Sequence, residues 1–408
     1  PGEPGEPGTP AVHGALADVL PAVADLLGSP VRPEPSPLTA ALAQAHDGVQ
    51  QVCVLLVDGL GSQLLAARGG HAPRMRSMAA GRAPGAAVLA AGYPSTTATS
   101  TASLGTGLHP GQHGLLGYQV RDPDTGTLFN ELSWEPAPGS APGARAPDPR
   151  RWQPHPTVAE HLASSGVAVT RTGPGFFDGS GLTEATSRGG RFRATSTLDA
   201  RVEAGLGALR AAARDRSRAF VSVYWGDLDK TGHTHGWESA PWGAELERVD
   251  AAVADLAAGL PPRALLLVTG DHGMVDVPAH ARWDVAREPD LAAGVEVVAG
   301  EPRAPHLHCA PGAADDVLAA WRERLGHVLE VVTREQAVEE GWFGPAGAAP
   351  EVLPRAGDLV TAATAPVSVH DSRVQRPELA GLVGMHGGRT PEEVLVPLLV
   401  APGRGLGS

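Results

Sequence analysis

The protein has 408 residues, of which 42% are hydrophobic, so it exceeds one average domain but suits a single large α/β enzyme with insertions. Its 32 basic and 45 acidic side chains give a net charge of −13, which disfavours a nucleic-acid polymer as partner because phosphate backbones are repelled. Two cysteines exclude a disulfide framework and a cysteine-rich zinc site, and no apolar run reaches the roughly 18–20 residues of a membrane span.

The first ten residues are predicted to remain unfolded, since PGEPGEPGTP is polar and rich in proline and glycine. We expect residues 11–408 to form one catalytic domain that carries an inserted lobe at about residues 278–373. No basic stretch followed by an apolar stretch marks a secretion signal, and the low cysteine count fits a reducing compartment, so we expect a cytoplasmic protein. No long apolar surface helix is visible in the sequence, and we therefore expect a monomer.

Short apolar runs alternate along the chain with longer segments rich in alanine and leucine, and this order predicts a mainly parallel sheet covered by helices. Helices are inferred from apolar residues spaced by three and four, and strands from short continuous apolar runs. The predicted helices are Ala11 to Leu27, Pro156 to Ser165, Leu198 to Arg214 and Trp242 to Leu260. The predicted buried strands are Val52 to Val57, Ala87 to Ala91, Ala219 to Tyr224 and Ala264 to Val268.

Two stretches are less regular. Asp122 to Trp152 is rich in proline and glycine and is interpreted as a surface loop. Pro278 to Arg373 contains a strand-like segment, Val295 to Val298, and a helix-like segment, Ala314 to Leu325, so it is interpreted as an inserted α+β lobe beside the active site. We expect this lobe to shape a substrate pocket. Its candidate contact residues are Arg303, His306 and His308.

The first polar segment is VCVLLVDGLG, in which Asp58 follows a predicted buried strand. Open α/β sheets bind ligands at the carboxyl ends of their strands, so Asp58 is a candidate site residue. A turn formed by Asp-Gly after a strand is the alternative.

The second segment is GYPSTTATSTASLGTGLHPGQHG. Pro94 ends the preceding run and the Thr/Ser cluster opens a helix, which puts a hydroxyl such as that of Thr97 at the positive end of the helix dipole, where a phosphate binds favourably. A simple helix N-cap is the commoner use of such residues.

The third segment, AFVSVYWGDLDKTGHTHG, brings Asp229 and His233 within four residues of each other after a strand. Carboxylate oxygen and imidazole nitrogen suit Zn²⁺, Mn²⁺ or Fe²⁺, so the pair is a candidate metal-binding arm. Spacing alone also admits Asp227 and His235 as ligands, and a solvated loop is the alternative.

Two further segments supply the remaining candidates. ALLLVTGDHGMVD places Asp271 and His272 after a buried strand, and GLVGMHGG contains His386 among glycines. Ordinary turn residues, or a structural histidine, are the alternatives. Together the five segments supply enough carboxylate, hydroxyl and imidazole donors for two adjacent metal sites, and two metals about 4 Å apart commonly promote in-line attack at phosphorus.

These motifs occur in the order found in the type I phosphodiesterase/nucleotide pyrophosphatase family of the alkaline phosphatase superfamily, which the sequence resembles from Val52 to Gly388. The matching patterns are Pro-x-x-Thr, Thr-Gly-Leu-x-Pro-x-x-His-Gly, Asp-x-x-Gly-His-x-x-Gly, Asp-His-Gly-Met and Gly-x-His-Gly. The resemblance implies an α/β fold with a mostly parallel, alkaline-phosphatase-like central sheet, helices on both faces and a smaller inserted α+β lobe.

The resemblance also implies the roles of individual residues. Thr97 corresponds to the nucleophile, which forms a phospho-threonine that water then hydrolyses. Asp58, Asp271 and His272 correspond to ligands of the ion that activates Thr97. Asp229, His233 and His386 correspond to ligands of a second ion, whereas His235 has no counterpart. The oxygen-rich ligand set favours two Mn²⁺ ions, with Zn²⁺ as the other possibility.

Two departures from the eukaryotic members bear on the substrate. Ala98-Thr99-Ser100 replaces Phe-Pro-Asn after the nucleophile, and Gly117-Tyr118 replaces a segment with an asparagine. These stretches, with NELSW and FFDGSGLT, resemble intracellular bacterial members, among which is a phosphodiesterase that hydrolyses cyclic di-AMP to pApA and AMP. We therefore expect a small-molecule nucleotide diester as substrate. The candidate substrate contacts are Tyr118, Lys230 and Trp237, and Trp134 and Phe176 are further aromatic residues able to stack a base.

Other functions also fit the sequence. A nucleotide pyrophosphatase, or a phosphomonoesterase or phosphonate hydrolase on the same scaffold, uses the same residues, and a catalytically silent metal-binding protein is the alternative outside enzymes. A sulfatase is disfavoured because the nearest match to its C/S-x-P-x-R pattern, which starts at Cys309, lacks the arginine. A phosphoglycerate mutase of this superfamily is disfavoured because that enzyme uses serine as nucleophile.

Overall fold

The computed structural model describes residues 12–80, 83–375, 379, 381–404 and 406. The lead predicted at residues 1–10, and Ala11 of the first predicted helix, lie outside these residues. The strands are β1 (Gln51–Val57), β2 (Ala87–Ala90), β3 (Gln119–Arg121), β4 (Leu128–Asn130), β5 (Glu135–Pro136), β6 (Ala168–Gly173), β7 (Arg191–Ala194), β8 (Ala219–Trp225), β9 (Ala264–Gly270), β10 (Val275–Asp276), β11 (Arg282–Asp284), β12 (Val295–Glu301), β13 (Ala304–Cys309), β14 (Leu329–Thr333), β15 (Leu359–Ala363), β16 (Ser368–His370), β17 (Gly384–Met385) and β18 (Leu395–Pro402).

The α-helices are α1 (Val19–Leu26), α2 (Pro37–Ala45), α3 (Ser62–Ala67), α4 (Pro73–Ala80), α5 (Thr97–Thr106), α6 (Pro110–His113), α7 (Pro149–Trp152), α8 (Val158–Ser164), α9 (Gly181–Thr186), α10 (Leu198–Arg214), α11 (Asp227–His235), α12 (Ala240–Gly259), α13 (Pro289–Ala292), α14 (Ala314–Leu325), α15 (Arg334–Glu339) and α16 (Pro391–Val394). Short 3₁₀ helices lie at Leu16–Asp18, Gly175–Phe177, Ala279–Ala281, Val285–Arg287 and Leu353–Ala356. No helix in the described ranges combines the length and the apolar composition that crossing a bilayer requires.

A central sheet organises the fold. Within the described residues its order is β2-β18-β9-β1-β8-β6-β7, and only β18 runs antiparallel to its two neighbours. The four predicted strands are confirmed as β1, β2, β8 and β9, with ends shifted by at most two residues. Strand β1 is buried along its whole length, as expected of a strand covered on both faces.

Helices cover both faces of this sheet, because successive side chains of a strand point to opposite sides. Cys53, Leu55 and Val57 of β1 belong to a core that includes residues of α3, α4, α10 and α12. Val52, Val54 and Leu56 of the same strand belong to a second core with α1, α2 and α8. The prediction of an alkaline-phosphatase-like α/β fold, mostly parallel and with helices on both faces, is therefore confirmed.

The first predicted helix is too long. Its regular part, α1, begins at Val19, and a single 3₁₀ turn precedes it. The reason is that the chain before this turn runs along the edge of the sheet, where Ala15 forms a bridge with Ala90. Helix α10 lies where it was predicted, whereas α8 and α12 differ from their predictions by one or two residues at the ends.

A second, antiparallel sheet has the order β14-β15-β13-β12-β3-β4-β5 among the described residues. Four of its strands come from the region interpreted as the lobe, and α14 has the predicted bounds. The interpretation of Asp122 to Trp152 as a surface loop is wrong, because β4, β5 and α7 lie in it and β3 ends just before it. These strands are two or three residues long, too short to show an alternating pattern, and Phe129 is buried against Trp152. The division into a domain and a lobe at about residues 278–373 stays a prediction.

Candidate active site

The predicted site residues follow three adjacent strands of the central sheet. Val57, the last residue of β1, pairs with Trp225 of β8 and with Gly270 of β9. The next residues, Asp58 and Asp271, therefore emerge at the same level of the sheet. Asp229 lies in α11, which begins two residues after β8. The carboxyl edge of the sheet thus brings these acids together, as the strand-end rule predicts.

Thr97 is the first residue of helix α5, and Thr96 is its extended N-cap. The helix ends at Gly107, whose φ of 71° is a left-handed conformation that suits glycine. The hydroxyl oxygen of Thr97 lies 3.4 Å from Oδ1 of Asp58 and 3.2 Å from Nε2 of His272. This buried hydroxyl is therefore held at a helix N-terminus and beside two predicted metal ligands.

Three histidines are oriented in the same way by backbone carbonyl groups. Nδ1 of His233 lies 2.7 Å from the carbonyl oxygen of Gly384, Nδ1 of His272 lies 2.9 Å from that of Gly273, and Nδ1 of His386 lies 3.0 Å from that of Ser95. A carbonyl oxygen only accepts, so each Nδ1 donates its proton, and Nε2 is the atom of each ring that can bind a cation once it is deprotonated. This arrangement is the usual support for metal-binding imidazoles.

The first cluster able to hold a cation consists of Asp229, His233 and His386. Asp229 and His233 lie one turn apart on α11, with Oδ2 and Nε2 separated by 3.2 Å. Nε2 of His386 lies 3.9 Å from Oδ1 of Asp229. This is the group that the resemblance assigned to one ion. Asp227 and His235, which spacing also allowed, are exposed and do not belong to it.

The second cluster consists of Asp58, Asp229 and His272. The predicted grouping had Asp271 in place of Asp229. Oδ1 of Asp271 accepts hydrogen bonds from the backbone N–H groups of Gly59 and His272, both at 3.0 Å, and Oδ2 lies 3.7 Å from Nε2 of His272. Asp229 therefore faces both clusters, and Asp271 borders the second one.

Burial and mutual repulsion shift the pKa values of these groups. Burial, and then the Asp58 carboxylate, raise the pKa of Asp271 well above its ordinary value. Burial also acts to raise the pKa of Asp229, but the charges of His233 and the neighbouring imidazoles outweigh it and lower that pKa. Burial acts to lower the pKa of His233, but the Asp229 carboxylate outweighs it and raises the pKa to about 9.

The donor set fits divalent cations. Oδ1 of Asp229 and Oδ2 of Asp271 are buried and have no hydrogen-bond partner in the structure. Buried carboxylate oxygens without partners are costly unless a cation satisfies them. Carboxylate oxygen combined with imidazole nitrogen is a ligand set that both Zn²⁺ and Mn²⁺ accept.

One residue of the site was missed in the sequence. Tyr224, on β8, donates a hydrogen bond from its hydroxyl to Oδ2 of Asp58. Burial and then the Asp58 charge raise the pKa of Tyr224 well above its ordinary value, so the phenol remains a donor. The available signal was the position of Tyr224 at the end of a predicted strand, five residues before Asp229.

A cavity of about 590 Å³ opens above the acids and Thr97. Of the aromatic residues proposed to stack a base, Tyr118 and Phe176 line it, and Phe177 and Tyr224 line it as well. Its apolar wall residues are Leu132, Leu182, Leu379, Leu382 and Met385. The volume is within the usual range of small-molecule sites.

Several predicted contacts lie away from this cavity. Lys230 is exposed on α11, and Trp237 packs against the core beside Trp242. The indole of Trp134 packs against Phe129. None of these three lines the cavity.

The lobe reaches the cavity through residues other than those proposed. The guanidinium of Arg303 is buried in an ion pair with Glu393, and His306 lies beside the hydroxyl of Tyr93. Neither of them lines the cavity, and His308 does not line it either. Glu301 and Pro302, at the end of β12, line it instead.

The sequence profile of the type I phosphodiesterase / nucleotide pyrophosphatase family matches residues 52–389. A comparison with curated protein sequences finds no match.

Solved structures of similar fold include murine ectonucleotide pyrophosphatase / phosphodiesterase 5, at 17% identity and a TM-score of 0.65, with 86% of this chain and 87% of that chain covered. An inactive variant of the same murine protein in complex with AMP gives 16% identity and a TM-score of 0.63, with the same coverage of 86% and 87%. Phosphonoacetate hydrolase from Sinorhizobium meliloti 1021, in complex with phosphonoformate, gives 17% identity and a TM-score of 0.62, with 88% and 91% covered.

Proposed function

The chain belongs to the type I phosphodiesterase / nucleotide pyrophosphatase family, and from this membership we propose that it hydrolyses cyclic di-AMP to pApA and AMP, with Thr97 as nucleophile. The observation that carries the proposal is the position of the Thr97 hydroxyl, 3.2 Å from His272 and next to Asp58, in the wall of a cavity of about 590 Å³. A hydroxyl placed among cation ligands in a roomy cavity suits attack on a phosphodiester.

Asp58, Asp271 and His272 would hold one divalent cation, and Asp229, His233 and His386 another. Bound cations of this kind lower the pKa of a neighbouring hydroxyl and neutralise charge on phosphoryl oxygens. We take Mn²⁺ as the ion because the set is rich in carboxylate oxygen, and we take the protein to be a cytoplasmic monomer.

Thr97 then attacks phosphorus through Oγ1, and the ester oxygen of one nucleoside leaves. The phospho-threonine that remains is hydrolysed by water, which restores the Thr97 hydroxyl. The peptide dipoles of α5, a helix of ten residues, point their positive end at this reaction centre and stabilise the anionic phosphoryl group.

The cavity walls favour a nucleotide diester over a small monoester. Aromatic rings from Tyr118, Phe176 and Phe177 supply surfaces on which a base can stack. Among the described residues, no lysine or arginine lines the cavity, so no side chain with a permanent positive charge is present to neutralise a doubly charged monoester. The apolar walls also supply room for the second substituent of a diester.

The proposal is tested by incubating metal-stripped protein with cyclic di-AMP, with and without Mn²⁺ or Zn²⁺, and separating the products by chromatography. We expect pApA and AMP only when metal is present. Thr97→Ala is expected to abolish product, and Thr97→Ser, which keeps a hydroxyl, to retain part of the activity. Turnover of bis-p-nitrophenyl phosphate without turnover of cyclic di-AMP would discard the substrate but keep the chemistry. Full activity of Thr97→Ala would discard the nucleophile.

A further inference from the structure

Glu301 is a buried carboxylate in the cavity wall to which neither the sequence motifs nor the proposed mechanism gives a role. Its side chain is 5% exposed, it is the last residue of β12, and it borders the same cavity as Thr97. Its Oε1 atom has no hydrogen-bond partner among the residues that the structure describes. A buried acceptor without a partner is uncommon in folded proteins and invites a functional explanation.

Neighbouring backbone holds Glu301 beside the reaction centre. The hydroxyl of Thr96 and the backbone N–H of Tyr118 lie beside its carboxylate, where both act to lower its pKa. Thr96 immediately precedes Thr97, so their Cα atoms lie about 3.8 Å apart. On the other side, a Cβ atom on Gly387 would lie 2.6 Å from Cβ of Glu301, which shows how closely the segment of His386 packs against this residue. Glu301 thus packs against the residue that precedes Thr97 and the residue that follows His386.

Glu301 has no arginine or lysine as an ion-pair partner among the described residues. Within the described residues no ion pair includes it, because the nearest arginine in sequence, Arg303, is paired with Glu393. Burial raises the pKa of Glu301 to about 7, and the Thr96 hydroxyl, the charges of His272 and His233 and the backbone N–H of Tyr118 partly oppose this rise. An ionised Glu301 adds a negative charge to the wall of the cavity, beside the candidate cation ligands.

We propose that Glu301 is a specificity-determining residue that disfavours phosphomonoesters relative to phosphodiesters. The inference rests on the proposed function, since it assumes that the phosphoryl group binds beside Thr97. A diester carries one negative charge, whereas a monoester carries close to two above about pH 6. A carboxylate in the wall of the same cavity repels the additional charge. For two charges about 7 Å apart, at the effective dielectric constants of partly buried sites, such repulsion changes binding about tenfold after screening.

The same charge helps product release. Hydrolysis of a diester produces a monoester, so a group that repels the second charge weakens binding of product without weakening binding of substrate. Glu301 therefore changes the difference in affinity between substrate and product, and it does not change the rate of attack by Thr97.

The test compares AMP with its methyl ester, adenosine 5′-(methyl phosphate), which has the same base and sugar but one charge less. Both are titrated calorimetrically at pH 8.5 into Mn²⁺-loaded Thr97→Ala protein, in which turnover is blocked. We then add Glu301→Gln, which keeps the shape and the acceptor oxygen of the side chain. This substitution is expected to increase the affinity for AMP about tenfold and to change the affinity for the methyl ester less than about twofold. Glu301→Asp, which keeps the charge, is expected to preserve the discrimination.

Asp250→Asn is the matched control, because Asp250 is another buried carboxylate that accepts backbone hydrogen bonds, from Arg74 and Met75, but does not line the cavity. It is expected to change neither affinity. The proposal would be overturned if Glu301→Gln left the affinity for AMP unchanged, or if it changed the affinities for both ligands equally. It would also be overturned if AMP failed to bind even without the carboxylate.

Failure of the proposed function gives a different result. If wild-type protein leaves cyclic di-AMP intact while Glu301→Gln still tightens AMP selectively, the substrate is wrong and the role of Glu301 stands. If cyclic di-AMP is hydrolysed and the selective change is absent, the role of Glu301 is wrong and the substrate stands.

Discussion

The hydroxyl of Tyr224 donates a hydrogen bond to Oδ2 of Asp58, while Oδ1 of the same carboxylate faces the Thr97 hydroxyl at 3.4 Å. One oxygen of Asp58 is thus used for orientation and the other is left for the reaction centre. Such supporting hydrogen bonds to metal ligands commonly contribute a factor of about 10 to 100 in metal affinity or activity.

Tyr224→Phe tests this support. Removing the hydroxyl leaves Asp58 free to rotate, so we expect Mn²⁺ affinity to fall about tenfold with little change in the folded structure. Calorimetric titration of metal-stripped protein with Mn²⁺ measures the change, and circular dichroism checks the fold. Equal Mn²⁺ affinity in wild type and variant would show that Tyr224 does not orient the carboxylate.

Mn²⁺ affinity is expected to rise with pH. The pKa of His233 is raised to about 9 in the metal-free protein, chiefly by the Asp229 carboxylate, so at pH 7 its imidazole carries a proton that a cation must displace. The Mn²⁺ affinity should therefore fall by up to tenfold for each pH unit below about 9, and it should become independent of pH above that value.

This pH dependence is measured by titrating Mn²⁺ at pH 7, 8 and 9 in two buffers of different ionisation enthalpy, which reports the protons released. His233→Gln, which cannot be protonated, should bind more weakly but with a shallower slope. An affinity that is flat between pH 7 and 9 in the wild type would contradict the raised pKa.

The buried ion pair between Arg303 and Glu393 should be important for stability. Both side chains are fully buried, with Nε and Oε1 separated by 2.7 Å, and Glu393 also accepts a hydrogen bond from the backbone N–H of Gly388. Arg303→Met leaves the Glu393 charge unpaired and should lower the free energy of unfolding by about 3–5 kcal/mol. Urea denaturation measures this difference. The double variant Arg303→Met, Glu393→Gln should recover part of it, and a loss equal to that of the single variant would argue against charge burial as the cause.

Phe176 should contribute to substrate binding and not to stability. Its side chain is 78% exposed although it lines the cavity, so Phe176→Ala should leave the melting temperature almost unchanged. Loss of a stacking surface should raise KM for a dinucleotide about tenfold or more. Trp237→Ala is the matched comparison, because Trp237 packs on the core and does not line the cavity, and we expect it to lower the melting temperature and leave KM nearly unchanged. The reverse pattern would show that the base binds elsewhere.

The sequence allowed the acids that meet at this edge of the sheet to be predicted, because strand ends can be recognised without knowing the tertiary structure. Asp58 and Asp271 follow long buried runs, and the register of parallel strands brings such positions together. The assignment of these acids to the two clusters was harder to predict, since Asp229 faces both clusters and Asp271 borders one of them. Which acid bridges two sites depends on side-chain rotation, and no local pattern records it.

Glu301 could not be predicted for a different reason. It reaches the cavity because β12 pairs with β3, through Gly300 and Gln119, and β3 is a short strand that no sequence pattern predicted. Pairing between residues so far apart in the chain has no local signature when one strand has only three residues. Of the polar residues of the lobe that the sequence singled out, Arg303 forms a buried ion pair with Glu393 and does not face the cavity.

Strand β18 lies inside the central sheet, between β2 and β9, although it is formed by Leu395–Pro402 near the end of the chain. During synthesis, β2 therefore cannot pair with β18 until residues 395–402 have left the ribosome. His386 is also made late, more than 300 residues after Asp58. A growing chain that stops before β18 lacks a strand of the central sheet, and one that stops before His386 also lacks a candidate ligand of the site, so we expect activity only after both segments have been made.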